Sequence, residues 1–151
     1  MTDETPMALT FIDAPSPNFD ERRAPVSLVV MHYTGMKDGP SALRALTNAR
    51  LDPNSPSEAP TYLPGRVSSH YMVEEDGRVF VLVPEDKRAW HAGAGSWRGQ
   101  DDINSRSVGI EIVNGGHDFG LPDFPDPQIR AVIELTRGIL ARWRLPANAV
   151  I

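Results

Sequence analysis

The 151-residue sequence contains no cysteine. That excludes a disulfide framework and a thiolate metal site, so any metal would have to be held by histidine and carboxylate. A surplus of cations is missing as well: 15 Lys and Arg stand against 20 Asp and Glu, a formal net charge of -5. Without that surplus there is little to neutralise phosphates, and nucleic acid is not an expected partner. No stretch approaches the roughly 18 consecutive apolar residues of a membrane helix, so no membrane span is expected. The amino end, Met1-Thr2-Asp3-Glu4-Thr5-Pro6, has acids where a secretory leader carries Lys or Arg, and a cytoplasmic location is the expectation. Internal repeats, low-complexity tracts, an interdomain linker and the local His-x-x-x-His spacing of a helical metal site are all absent from the sequence.

What is present suits one domain with a core of its own: 40% of the residues are hydrophobic and 23% charged. Residues 1–25 combine Pro15, Pro17 and Pro25 with Asp20-Glu21-Arg22-Arg23, the composition of an irregular arm pinned by Leu9, Phe11, Ile12 and Phe19. The domain proper is expected over 26–151. Its first strand, 26–33, runs through Leu28-Val29-Val30-Met31 and stops on His32-Tyr33-Thr34, which brings polar groups to the rim of a sheet. His32 reads either as a hydrogen-bonded strand-end histidine or as the first ligand of a catalytic metal.

A short helix should start at Pro40 or Ser41 and end near Arg50, followed by a Pro-rich surface connection over 52–66. Val67 to Glu74 and Arg78 to Val83 read as strands joined by the hairpin signal Glu75-Asp76-Gly77. Period two sets His70 and Met72 on one face and Ser69 and Tyr71 on the other. His70 in that phase reads as a buried, satisfied histidine, whereas Trp90-His91 in the run Ala89 to Gly95 reads as backbone that approaches a ligand. His117, in Gly-Gly-His-Asp, reads as a solvated loop residue. Ser107 to Val113 is a further strand that contains Glu111. A carboxylate inside an apolar strand is costly unless it is paired or used, so Glu111 reads equally as half of a structural ion pair or as a base with a raised pKa. From Asp126, as cap, with Pro127 in the first turn, Ile129, Val132, Ile133, Thr136, Ile139, Leu140 and Trp143 form an apolar helical stripe that ends before Pro146. Ala149-Val150-Ile151 begins another strand.

Three ordered segments resemble the zinc-dependent N-acetylmuramoyl-L-alanine amidases of the type 2 amidase and peptidoglycan recognition protein family. They are Val29-Val30-Met31-His32-Tyr33-Thr34, Val67-Ser68-Ser69-His70-Tyr71-Met72-Val73 with Glu75-Asp76-Gly77, and Arg88-Ala89-Trp90-His91-Ala92-Gly93 leading through Asn104 to Ser107-Val108-Gly109-Ile110-Glu111-Ile112. Pro15-Ser16-Pro17-Asn18 resembles the arm before the first strand in some members.

The resemblance implies an α/β fold, a single domain with a central mixed β-sheet flanked by α-helices, and a zinc ion in a surface groove. It makes His32 a zinc ligand and Glu111 the general base or transition-state stabiliser, with Trp90, His91 and Asn114 along the groove wall. The family tyrosine of the second segment matches Ser69, so that role does not transfer. The implied reaction is hydrolysis of the amide between N-acetylmuramic acid and L-alanine in peptidoglycan or muropeptides. The family's other two zinc ligands follow the long helix, and no residue up to Ile151 matches them. The expectation is therefore that this chain by itself lacks zinc or binds it weakly and is inactive alone. Two further readings stand beside the enzyme: a muropeptide-binding module of the same fold that does not cut, and a regulatory or structural protein without a muropeptide site.

Overall fold

The structure is a computed structural model that describes residues 8–47 and 66–151. The Pro-rich connection expected over 52–66, apart from Arg66, and the expected helix end near Arg50 lie outside the described residues.

Among the described residues seven strands and three α-helices follow in chain order: β1 (Phe11–Asp13), β2 (Phe19–Glu21), β3 (Leu28–Tyr33), α1 (Gly39–Thr47), β4 (Tyr71–Val73), β5 (Val79–Val81), β6 (Lys87–Ala89), α2 (Ile103–Arg106), β7 (Ser107–Ile112) and α3 (Asp126–Trp143). Five strands form one mixed sheet in the order β1-β5-β4-β7-β3, while β2 and β6 make a separate antiparallel pair. Within the main sheet β4, β7 and β3 run parallel, β1 is parallel to β5, and only the β4–β5 hairpin is antiparallel. The hairpin turns where the Glu75-Asp76-Gly77 signal predicts, with Gly77 at φ +92° and no room for a Cβ, which would come within 2.8 Å of the Pro127 carbonyl. Val150 bridges Val29 in parallel on the outer edge of β3, so the expected strand start near Ala149 appears one residue later, after a single 3-10 turn.

Parallel strands are covered on both faces. On one face α3 lays Ala131, Val132, Leu135 and Ile139 against Val29, Tyr71, Val73, Val108 and Ile110. On the other, Ala42 and Leu46 of α1 meet Met72, Leu82, Val83 and Val113. Alternation along β7 divides its residues accordingly: Val108 and Ile110 face α3, and Ser107, Gly109 and Glu111 face the opposite way.

Several expectations need correction. The arm is not irregular, since it supplies β1 to the main sheet and β2 to the second pair. Leu9 packs against the core as expected, but Phe11 and Phe19 are exposed at 55% and 36% and do not pin the arm. Buried polar groups add to the anchoring: Ser16 Oγ donates to the Leu46 carbonyl at 2.6 Å, and Asn18 Nδ2 donates to the Val67 carbonyl at 3.0 Å. α1 is capped by Asp38, whose Oδ1 accepts the Ser41 amide at 2.9 Å, rather than beginning at Pro40 or Ser41. In α3 the residue before the helix is Pro125, and Asp126 is its first member without a capping bond. The buried stripe of α3 is also rotated from the expected one, because Ile129 and Ile133 are exposed at 43% and 45% while Gln128 is fully buried. Gln128 Nε2 donates to the Val73 and Val113 carbonyls at 3.1 and 2.8 Å. A polar residue therefore takes a core position where it bridges the backbone carbonyls at the end of β4 and just past β7.

Candidate active site

The register of the parallel pair β3–β7 sets His32 directly opposite Glu111, and β4 sets Met72 on the other side of Glu111. Residues opposite one another in a sheet project to the same face, so the histidine and the carboxyl emerge together at the rim where β3 ends. Met72 is fully buried beside them. Glu111 Oε2 is buried and has no hydrogen-bond partner among the described residues. Burial pushes the Glu111 carboxyl up to about 8, because an unpaired carboxylate away from water is disfavoured against its neutral form.

His91 reaches this face from the loop after β6. Its Nδ1 lies 3.0 Å from His32 Nε2 and its Nε2 lies 3.0 Å from Ser107 Oγ. The loop is held by Asn104, whose Oδ1 accepts the backbone amides of His91 and Ala92 at 3.1 and 2.8 Å. Burial lowers the basicity of His32, and burial with neighbouring His70, His32 and arginines takes His91 well below its ordinary value. Burial thus favours the neutral form of both rings.

His70 is fully buried, as its strand phase predicts. Nδ1 accepts the Gly109 amide at 3.0 Å, so the ring proton sits on Nε2 and goes to the Lys87 carbonyl at 2.8 Å. Arg22 Nη2 lies 3.0 Å from the same nitrogen, donor facing donor, and is a contact rather than a second bond. Arg22 spends its donors instead on the carbonyls of Ser105, Ser107 and Glu85 at 2.7, 2.9 and 2.9 Å. His70 is thereby held neutral, lowered to about 4 chiefly by burial.

The structure does not bring all the expected residues together. Trp90 is 3% exposed and its Nε1 donates to Asp20 at 3.0 Å, so its ring is interior and not a groove wall. Asn114 uses both ends of its amide within its own loop, Nδ2 to the Pro122 carbonyl and Oδ1 from the Gly116 amide, each at 2.9 Å. That fastens the loop beyond β7 rather than presenting the amide outward. Tyr71 lies on the α3 face, with its hydroxyl bonded to Glu85, and is on the wrong side of the sheet to assist at Glu111. Ser69 Oγ is spent on the Tyr71 carbonyl at 2.9 Å. His117 is exposed in a 3-10 turn, as expected. Ser107, Asn104 and Gly109 escaped the sequence reading as site residues, although Ser107-x-Gly109-x-Glu111 is a period-two pattern that sets all three on one face.

A catalytic zinc takes three protein ligands and leaves a fourth position open. Among the described residues no three His, Asp or Glu side chains converge as such a group. Both nitrogens of His70 and of His91 are engaged, and His32 Nδ1 is the one imidazole nitrogen at the rim with no partner among the described residues. The donors present therefore do not fit a complete zinc site.

The model of the N-acetylmuramoyl-L-alanine amidase family (Amidase_2) matches residues 22–151. The chain belongs to this amidase family. Against the 1,6-anhydro-N-acetylmuramyl-L-alanine amidase AmpD of Citrobacter freundii it is 35% identical over 143 residues, covering 89% of the chain and 72% of that protein. Against the N-acetylmuramoyl-L-alanine amidase AmiD of Escherichia coli it is 34% identical over 138 residues, 83% of the chain but only 44% of the relative's length. A crystal structure of a selenomethionine AmpD derivative superposes with a TM-score of 0.73 at 31% identity, covering 99% of this chain and 84% of that one. The complex of E. coli AmiD with the substrate anhydro-N-acetylmuramic acid-L-Ala-D-γ-Glu-L-Lys matches with a TM-score of 0.66 at 32% identity, covering 85% and 49%. The Drosophila peptidoglycan recognition protein SA, at 18% identity and a TM-score of 0.60, shares the fold. The mixed sheet with flanking helices expected from the sequence is thus the fold of the amidase family.

Proposed function

We propose that this amidase-family chain carries the site for hydrolysis of the amide between the lactyl carbonyl of N-acetylmuramic acid and L-alanine in muropeptides. The observation that carries the reading is Glu111, a carboxyl buried at the sheet rim with an unpartnered oxygen and opposite an imidazole. Structural ion pairs bury carboxylates with their counter-charge, and here there is none at Oε2, which favours use over structure. The relatives at 34% and 35% identity are named for this bond cleavage, and AmiD has been solved with a muramyl tripeptide bound.

Zinc is the cofactor this reading brings, with His32 Nδ1 as one ligand. The described residues do not complete its coordination, and the proton steps run through Glu111 alone. In its ionised form Glu111 takes a proton from water as the water oxygen bonds to the carbonyl carbon. It returns that proton to the nitrogen as the C–N bond breaks, releasing the free amine of the stem peptide and the muramyl carboxylic acid. A base with pKa near 8 balances proton affinity against availability at the pH of a cell better than an ordinary glutamate does.

The absence of three converging metal donors among the described residues favours a second reading, a module that holds muropeptides without cutting them. Incubating the chain with anhydro-muramyl-L-Ala-γ-D-Glu-L-Lys, with and without zinc, separates the two when both binding heat and free stem peptide are followed. Release of stem peptide that disappears in Glu111→Gln supports the amidase. Binding without release supports the module, and no binding removes both.

A further inference from the structure

Ser107, Gly109 and Glu111 share one face of β7, and His32 stands opposite Glu111 on β3. The imidazole of His91 lies along that face like a crossbar. A Cβ on Gly109 would fall 2.5 Å from His91 Cγ, so the ring rests directly on the Gly109 backbone and only glycine leaves it space. From that seat the two ring nitrogens point in opposite directions, Nδ1 to His32 Nε2 and Nε2 to Ser107 Oγ, each at 3.0 Å.

The proton positions follow from the far end of this chain. Ser107 Oγ lies 2.6 Å from the carbonyl oxygen of Ile103. A carbonyl cannot donate, so the single hydroxyl proton of Ser107 is committed there, and towards His91 the oxygen offers only a lone pair. His91 Nε2 must therefore carry a proton. Among the described residues the ring's hydrogen-bond partners are Ser107 and His32 and no carboxylate pairs with it, so nothing offsets the charge of a second proton and Nδ1 is the acceptor. The bond to His32 then requires the proton on His32 Nε2. That leaves Nδ1 of His32 as a bare lone pair.

We propose that His91 and Ser107 are positioning residues that lock His32 as its Nε2–H tautomer and so present its Nδ1 lone pair beside Glu111. A histidine that serves as a ligand or acceptor must be held in one tautomer by a partner on its other nitrogen. Here the partner is a second imidazole whose own state is set by a serine 16 positions further along the chain. The inference deepens the amidase reading, because an open Nδ1 is what a cation or a substrate donor meets. The ring states themselves belong to the metal-free chain and need no turnover to be observed.

The test is a long-range 1H–15N correlation spectrum of the whole zinc-free chain with 15N-labelled histidine at neutral pH. His32 and His91 should each show a pyrrole-type Nε2 and a pyridine-type Nδ1. Ser107→Ala removes the acceptor of His91, and the two nitrogen shifts of His32 should then converge as its tautomers mix. Ser107→Thr restores a hydroxyl and with it the wide separation. A wild-type His32 protonated on Nδ1 overturns the proposal, and so does an unchanged His32 spectrum in a folded Ser107→Ala chain. Should that variant not fold, the wild-type and Ser107→Thr spectra decide alone, through the nitrogen that carries the proton. Loss of the amidase reading with these shifts as expected would leave the relay standing, so the two failures are distinguishable.

Discussion

At the scale of single residues, Glu111 has a measurable cost that differs from its use. Its folded pKa, raised to about 8 by burial, exceeds the roughly 4.3 of an exposed glutamate in the unfolded chain. Between those values the folded state keeps a proton that the unfolded state has released, so stability falls as pH rises, and the full penalty is present above about pH 8. Glu111→Gln retains the shape and removes the titration. The variant should match the wild type near pH 4 in urea denaturation and exceed it by an amount on the order of a few kcal/mol at pH 9. A difference that does not change with pH would falsify the claim that Glu111 is buried unpaired. In the enzyme reading the same substitution abolishes release of stem peptide, and wild-type turnover climbs as pH rises through about 8, because the base is the ionised form. Gain in stability with loss of activity in one variant separates a group kept for function from one kept for folding.

At the scale of elements, Glu85 binds the hairpin region to the far end of α3. Its carboxylate accepts from Arg142 Nη2 at 2.6 Å, from Trp143 Nε1 at 2.7 Å and from the Tyr71 hydroxyl. Burial alone would raise its pKa, but the three donors outweigh burial and hold it below the ordinary value. Glu85→Ala leaves the buried Tyr71 phenol and the partly buried Trp143 indole without their acceptor, at about 2–3 kcal/mol. Because the folded pKa is depressed, the carboxylate's contribution is present above the unfolded value and disappears as pH falls through the folded one. Thermal unfolding of Glu85→Ala should therefore show a deficit at pH 7 that narrows in acid. The long elements were legible beforehand for simple reasons. β3, β7 and α3 are apolar runs or stripes of six residues or more whose period carries the signal. β2, β6 and α2 are three or four residues long, too short for any period, and they exist because distant partners hold them: Arg88 between Asp20 and Asp102, and Arg22 on the carbonyls of Ser105 and Ser107. The site divides in the same way. His32 and Glu111 were visible as polar residues ending or interrupting apolar strands. Trp90 faces the interior because glycine-rich surroundings signal close backbone approach without saying whether the neighbour is a ligand or Asp20, whereas Asn114 does line a surface pocket beside Tyr33, with its amide spent inside its own loop.

At the scale of the whole molecule, the donors distributed over the described residues limit what zinc can gain. Complete structural sites reach about 10–16 kcal/mol of apparent binding. His32 Nδ1 is a single imidazole nitrogen, and engaging His91 as a second would mean breaking its bonds to His32 and Ser107 and lifting it from Gly109. Calorimetric titration of the chain with zinc should accordingly give a dissociation constant no tighter than about 1 μM, some 8 kcal/mol, well short of the range for complete sites. Zinc at a concentration equal to that constant would raise stability by only about 0.4 kcal/mol, too little to shift a melting curve clearly. His32→Ala should remove most of the binding that remains, with folding little changed, since the half-buried ring sits at the strand end rather than in either core cluster. Tight, stoichiometric zinc binding that persists in His32→Ala would mean that donors elsewhere in the chain assemble a site of their own, and the rim between β3 and β7 would lose its claim to be the metal's place.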